Sequence, residues 1–276
     1  DGIRQDSWPY VPRTFWRDWM TAIKHEYPKL RVVGEVLDGG DASQLSFFEG
    51  GRKQFDGVDD KVDMLFDYPL HFAMRSAFAQ GHNIREVSQM LSRDHVYRDP
   101  AHSLLTLFGS HDVLRFMNEQ GATLEGLKLA FTFLFTVRGT PMVYYGDEIA
   151  LPGGNDPDNR RDFPGGFAGD ANNAFDVTGR TKEQQMVWSH VQTLLKVRAS
   201  RPELRAAATE HLVETDQQFV YRRGKTVVVL NNATTPVDVA IPLPSLGSDV
   251  LGVCGAAIKR GTGVTLTVPA RSGCVF

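Results

Sequence analysis

The chain has 276 residues, of which 42% are hydrophobic and 23% charged, and its formal net charge is -3. These are the proportions of an ordinary globular protein, and without a long run of Lys or Arg they give no electrostatic reason to expect nucleic acid. No apolar stretch approaches the roughly 20 residues that a membrane-spanning helix needs.

Asp1-Gly2-Ile3-Arg4-Gln5-Asp6 reads as a strand end. Alternate residues of a strand point the same way, so Arg4 and Asp6 share a face, and the guanidinium favours an ionised carboxylate. A surface salt bridge has the same spacing; a positioned, ionised Asp is also what a carboxylate nucleophile requires. Pro12 to Glu26 reads as an amphipathic helix with Phe15, Trp16, Trp19 and Ile23 as its core stripe, stopped by Pro28. Leu30 to Val36 is a β-branched run that delivers Glu35 among apolar neighbours. Such surroundings penalise the charged form of a carboxyl and suit it to general acid work near neutrality.

A Gly- and Asp-rich loop, Asp38 to Asp60, precedes a strand at Val62 to Tyr68. Helices at Pro69 to Gln80 and Ile84 to Ser92 lead to an apolar strand that opens at Ser103 and ends in Gly109-Ser110-His111-Asp112. A helix at Leu124 to Val137 and a last strand opening at Gly139 complete the alternation that marks a parallel sheet. Asp147 and Glu148, just after that strand, either face a ligand or cap and pair locally. Leu151 to Thr181 is long, rich in Gly, Pro, Asn and Asp, and without periodicity; loops of this length are uncommon unless functional or disordered. Its Asp156, Asp158, Arg160, Arg161 and Asp162 read as a self-satisfied ion-pair cluster or as ligand-binding groups. This loop and Asp56-Gly57-Val58-Asp59-Asp60 each admit a structural calcium ion, although neither has the spacing that dictates a site.

The helix Lys182 to Ala199 and the boundary at Arg201-Pro202 divide the chain into residues 1–200 and 201–276. The second part reads as short strands, Phe219 to Arg222, Lys225 to Leu230, Val237 to Ile241, Asp249 to Val253, Val264 to Val268 and Gly273 to Phe276, forming a small antiparallel sandwich. Cys254 and Cys274 read there as two separate small hydrophobes. A disulfide between neighbouring strands is the alternative, and it would point to an oxidising compartment. His25, His71, His82, His95, His102, His190 and His211 read as surface or hydrogen-bonded core residues.

Three strand-like runs thus deliver Asp6, Glu35 and Asp112 at their C-terminal ends, which in a parallel barrel is the catalytic face. Two carboxylates flanking a bond, one ionised and one protonated, form the arrangement of a retaining glycosidase. With Gly34-Glu35-Val36, Phe108-Gly109-Ser110-His111-Asp112 and Gly139-Thr140-Pro141-Met142-Val143-Tyr144-Tyr145-Gly146-Asp147-Glu148 following the opening motif in order, the chain resembles the α-amylase superfamily, glycoside hydrolase family 13. Asp6-Ser7-Trp8-Pro9-Tyr10 and Arg160-Arg161-Asp162-Phe163-Pro164-Gly165-Gly166-Phe167 are similar to its cyclomaltodextrinase and neopullulanase-like group.

The resemblance implies an α/β fold: the C-terminal half of a (β/α)8 barrel, with strands four to eight, followed by the sandwich. It implies Asp6 as nucleophile, Glu35 as general acid, and Asp112 as a third carboxylate gripping sugar hydroxyls. Arg4 would orient Asp6, His111 would bind the same sugar, and Tyr10, Arg160 and Arg161 would contact substrate, with Phe163 and Phe167 as candidate stacking platforms. Tyr10 stands where many α-amylases have a histidine. The implied activity is cleavage of α-glucosidic bonds in starch-derived oligosaccharides, cyclodextrins or pullulan, without a cofactor. The alternatives are an α-glucan transglycosidase and a non-catalytic sugar-binding relative. The expected partners are the α-glucan and the N-terminal half of the same enzyme, with no nucleic acid and no membrane; a homo-oligomer is admitted, and the sequence leaves the oligomeric state open. The isolated fragment is expected to be inactive. A periplasmic or secreted location is expected ahead of a cytoplasmic one.

Overall fold

A computed structural model describes residues 2–37 and 40–276; Asp1 of the opening motif and Asp38 of the first long loop lie outside the described residues. Five short strands, β1 (Gly2–Gln5), β2 (Arg31–Gly34), β3 (Met64–Phe66), β4 (Leu104–Thr106) and β5 (Thr140–Pro141), pair in chain order into one parallel sheet. Ile3 lies opposite Val32, Val33 opposite Met64, Leu65 opposite Leu104 and Leu105 opposite Thr140. Parallel neighbours need long crossovers, and helices fill them. They are α1 (Arg13–Glu26), α2 (Ala42–Ser46), α3 (Tyr68–Met74), which continues as a π-turn over Arg75–Ala79, α4 (Arg85–Ser92), α5 (Pro100–Ser103) and α6 (Leu124–Thr136). The helix α7 (Lys182–Ser200) begins with a capping box between Thr181 and Gln184, satisfying backbone donors that a helix start otherwise leaves orphaned; the short α8 (Glu203–Ala206) follows it.

The aromatic stripe of α1 is only partly core. Trp16 and Met20, four residues apart on one face, are buried, whereas Phe15 is 52% exposed. Trp16 stacks on Trp8 with ring centroids 4.2 Å apart. Trp8 in turn fits against β2 because residue 34 is glycine: a Cβ there would come within 2.9 Å of the indole. That packing ties the turn after β1 to the strand that carries Glu35, and Trp8 N–H donates to the Glu35 carbonyl at 3.1 Å.

Beyond α8, β6 (Glu210–Glu214), β7 (Gln218–Arg223), β8 (Thr226–Asn231) and β12 (Ser272–Val275) form one antiparallel sheet, and β9 (Val237–Ile241), β10 (Ile258–Arg260) and β11 (Gly263–Val268) another. Val220 and Val229 share an apolar cluster with Val239, Ile241 and Leu266 of the facing sheet. The alternate residues Phe219, Tyr221 and Val228 join the cluster built on α6 and α7, as a period of two requires. The β-domain therefore packs on the α/β unit through the second face of its larger sheet.

Two expectations are corrected here. Asp249 to Val253 is not a strand but a turn, because the Asp249 carboxylate accepts from the backbone N–H of Leu251, Val253, Cys254 and Val275. That same knot brings the turn against β12, and Cys254 and Cys274 are joined in a disulfide rather than packed as separate hydrophobes. Among the described residues, no helix is long and apolar enough to cross a membrane.

Candidate active site

The C-terminal ends of β1, β2 and β4 converge on one guanidinium. Arg4 lies 2.9 Å from Asp6 through Nη1, and through Nη2 it lies 2.6 Å from Glu35 and 3.3 Å from Asp112. The strand pairing explains the convergence, since Arg4 is in register with Val33, two residues before Glu35. Glu35 N–H donates to the Gln5 carbonyl at 2.9 Å, prolonging the ladder past the last assigned strand residue.

The three carboxylates differ in environment. Asp6 is open to solvent, with its side chain 61% exposed. Ser7 Oγ donates to Asp6 Oδ1 at 2.6 Å, and that hydroxyl, together with the Arg4 charge, outweighs desolvation and holds the Asp6 carboxyl below the usual carboxylate range. Ser7 takes a left-handed conformation, φ 57°, which a non-glycine residue adopts at a cost of about 1 kcal/mol; such strain clusters at functional sites. Glu35 is buried, and Tyr68 Oη donates to its Oε1 at 3.1 Å. Asp112 is contacted by His111 Nε2 at 3.1 Å and by Arg160 Nη2 at 3.4 Å. Burial opposes the charge of Arg4, but Glu35 and Asp6 more than compensate and raise its pKa.

Arg160 reaches this cluster on a braced loop. Asn159, next to it, is buried and donates to the His111 and Val113 carbonyls at 2.8 and 2.9 Å. Arg115, also buried, lies over the rings of Tyr144 and Tyr145, donates through Nη1 to the Tyr145 carbonyl at 2.6 Å, and donates its backbone N–H to the Gly153 carbonyl at 2.9 Å. Arg161 is spent elsewhere, paired with Asp158. Arg160 also pairs with Asp156 at 3.1 Å, so the loop is an internally paired cluster that still sends one cation to Asp112.

Tyr10 is 71% exposed, beyond Trp8 in the same turn. Phe163 packs against Phe175 and beside Ile149 and Leu151, while Phe167 is exposed. Asp147 pairs with Arg115, and Glu148 accepts from Gly146 N–H, so both act locally. The carboxylates of Asp56 and Asp60 are engaged by Arg13, and that of Asp59 by the Gly51 and Lys61 N–H groups. Ser7, Tyr68 and Asn159 are contributors that sequence reasoning missed. Tyr68 carried the same signal as the acids, a polar group closing an apolar strand.

The family model for the α-amylase catalytic domain matches residues 9–207; the chain belongs to that family of glycosidases. Among curated relatives, it is 28% identical over 242 residues to a maltogenic α-amylase of Bacillus acidopullulyticus, covering 84% of this chain and 37% of the relative. It is 29% identical over 245 residues to a cyclomaltodextrinase of Thermoanaerobacter pseudethanolicus, covering 85% of this chain and 38% of that one. The solved structure of an Anoxybacillus α-amylase superposes with a TM-score of 0.81 at 24% identity, over 100% of this chain and 58% of the other. The chain thus spans well under half the length of these curated relatives.

Proposed function

We propose that this chain carries the catalytic carboxylates of a retaining glycosidase that cleaves α-glucosidic bonds in starch-derived oligosaccharides, cyclodextrins or pullulan. The observation that carries the reading is the convergence of Asp6, Glu35 and Asp112 on Arg4 from three neighbouring strand ends. Asp6, exposed and held ionised, attacks the anomeric carbon, and Glu35, buried and donated to by Tyr68, protonates the leaving oxygen. Glu35 then deprotonates the water that frees the sugar from Asp6. Asp112, flanked by His111 and Arg160, grips hydroxyls of the same ring. None of these steps needs a cofactor. Arrangement of β1 and β5 at the two edges of the sheet supports a half-barrel completed by further strands of a longer polypeptide, without which edge backbone groups stay unpaired. A sugar hydroxyl in place of water would give transglycosylation at the same site, and the disulfide supports an oxidising compartment.

The test is covalent trapping in the full-length polypeptide with a fluorinated glycosyl donor. Wild type is expected to be labelled at Asp6 and Asp6→Asn to stay unlabelled. Labelling of the variant at another residue removes Asp6 from the role of nucleophile.

A further inference from the structure

Glu35 presents its two oxygens to different partners. Oε2 lies 2.6 Å from Arg4 Nη2, while Oε1 accepts from the Tyr68 hydroxyl at 3.1 Å. A cation beside Oε2 disfavours a proton there, so Oε1 is the oxygen that carries one. A carboxylate oxygen has two lone pairs: one on Oε1 takes the Tyr68 hydrogen, and the other is left for the proton that goes to the leaving oxygen and returns from water.

Tyr68 is itself held from behind. Its hydroxyl oxygen takes a hydrogen bond from the Ser110 side chain, and Ser110 Oγ in turn accepts the Asp112 backbone N–H at 3.2 Å. Each bond points the same way, from the backbone of the third carboxylate to the acid. Tyr68, Ser110 and Glu35 are all buried, and in such surroundings the members of a hydrogen-bond chain polarise and strengthen one another. Burial first, and then the Glu35 charge, push the phenol above its ordinary value, so Tyr68 keeps its proton and serves as a donor only. Its ring is fixed in place between Phe66 and Phe72, with centroids 5.9 and 6.1 Å away. The preceding residue, Asp67, is paired with Arg138 and caps α3.

We propose that Tyr68 and Ser110 are positioning residues of the acid, forming a one-way chain of donors from the Asp112 backbone to Glu35 Oε1 that sets how readily Glu35 gives up its proton. The proposal rests on the glycosidase reading and adds to it a link between the strand ends that carry Glu35 and Asp112. The charged and titratable groups around Glu35 are Arg4 and Asp6 at the end of β1, Tyr68 at the start of α3, and His111 and Asp112 after β4, with Arg160 reaching Asp112 from the loop after β5. Substitutions at Tyr68 and Ser110 leave the charges of all these groups in place.

The experiment is the pH profile of kcat/KM for the full-length polypeptide on maltohexaose, whose basic limb reports loss of the proton from the acid of the free enzyme. Tyr68→Phe removes the donor to ionised Glu35 at nearly constant volume. The basic limb is expected to move up by about one pH unit or more, while the acid limb, set by Asp6, stays in place. Ser110→Ala weakens the same donor and is expected to move the basic limb up by about 0.3 unit, and Ser110→Thr to restore it. In the Tyr68→Phe background Ser110→Ala should add nothing, because the serine acts through the tyrosine. A lower rate with an unmoved basic limb in Tyr68→Phe, or a Ser110→Ala shift that persists without the tyrosine hydroxyl, overturns the proposal. If wild type cleaves no α-glucan, the glycosidase reading falls, and a carbon NMR titration of the glutamate carboxyls, with Glu35 assigned through Glu35→Gln, decides the donor chain alone. The same upward shift in Tyr68→Phe then sustains it, and an unmoved midpoint overturns it.

Discussion

Two regions of this molecule use the same chemistry to opposite ends. At the strand ends, Arg4 faces Asp6, Glu35 and Asp112, its side chain 30% exposed. Beneath them, Arg138 faces Asp67 and Asp94 with its side chain only 3% exposed. Around Arg138 the charges are sealed: Asp67 also caps α3, and the Arg138 carbonyl accepts from Thr106. Around Arg4 there is a surplus of carboxylate and an open side, with Asp6 facing solvent. A buried ion pair fixes geometry and little else; an exposed cation with surplus acid leaves oxygens free for a reacting ligand.

The sharpest way to break that contrast is to exchange the readouts. In the full-length polypeptide, Asp6→Asn is expected to lower kcat by on the order of 10⁴-fold or more, as removal of a nucleophile does, while the melting temperature holds. Arg138→Ala is expected to do the reverse, costing about 3–5 kcal/mol of stability by leaving buried carboxylates unpaired. Paired kinetics and urea denaturation check both. Unfolding of Asp6→Asn would show that the open cluster is structural after all.

Arg4→Gln comes next in size. It keeps a donor in place but removes the positive charge that favours the ionised form of Asp6. We expect kcat to fall about a hundredfold. The Asp6 carboxyl should also titrate higher, moving the acid limb of the pH profile of kcat/KM upward. A smaller rate with an unmoved acid limb would mean that Ser7 alone, whose hydroxyl is the largest contributor, holds Asp6 ionised.

The contrast also explains what could be read in advance. Asp6, Glu35 and Asp112 were legible because each closes a short apolar or β-branched run, and Arg4 because the strand period puts it on the face of Asp6. The parallel sheet followed from the strand-helix alternation in the same way. Tertiary ties were not legible. That Ser7 would turn back to Asp6 depends on a left-handed residue; that Asn159 would brace Arg160 depends on carbonyls 46 and 48 residues away. The disulfide depends on a turn knotted by the single side chain of Asp249, where the pattern of Val250, Leu251 and Val253 suggested a strand. The exposure of Phe15 likewise reflects which neighbours α1 meets, which its own periodicity does not contain.

Asp147 is the intermediate case, and it carries the smallest expected effect. It is as buried as the Arg138 group, yet its cation is farther off, with Arg115 Nη1 at 3.4 Å, and its Oδ2 has no hydrogen-bond partner among the described residues. Desolvation therefore dominates over Arg115 and Arg75 and pushes the carboxyl up to about 7, against roughly 3.9 for an unperturbed Asp. A carboxyl raised in this way stabilises the fold fully below the unfolded value, and that contribution is lost as pH rises through the folded one. Between about pH 4 and pH 7 the unfolded chain releases a proton that the native state keeps, so stability falls with a slope of at most about 1.4 kcal/mol per pH unit from this group. Other groups bend the profile too: burial depresses His71 and His190, so their contribution is lost as pH falls below about 6.5. The difference between wild type and Asp147→Asn isolates the one carboxyl, because asparagine is neutral throughout. Urea denaturation at half-unit steps from pH 4 to pH 8 should show the wild-type decline over this window and its absence in the variant. Parallel profiles would mean that Asp147 is ionised in the fold, and that a single arginine at 3.4 Å is enough to seal a buried acid at this end of the sheet.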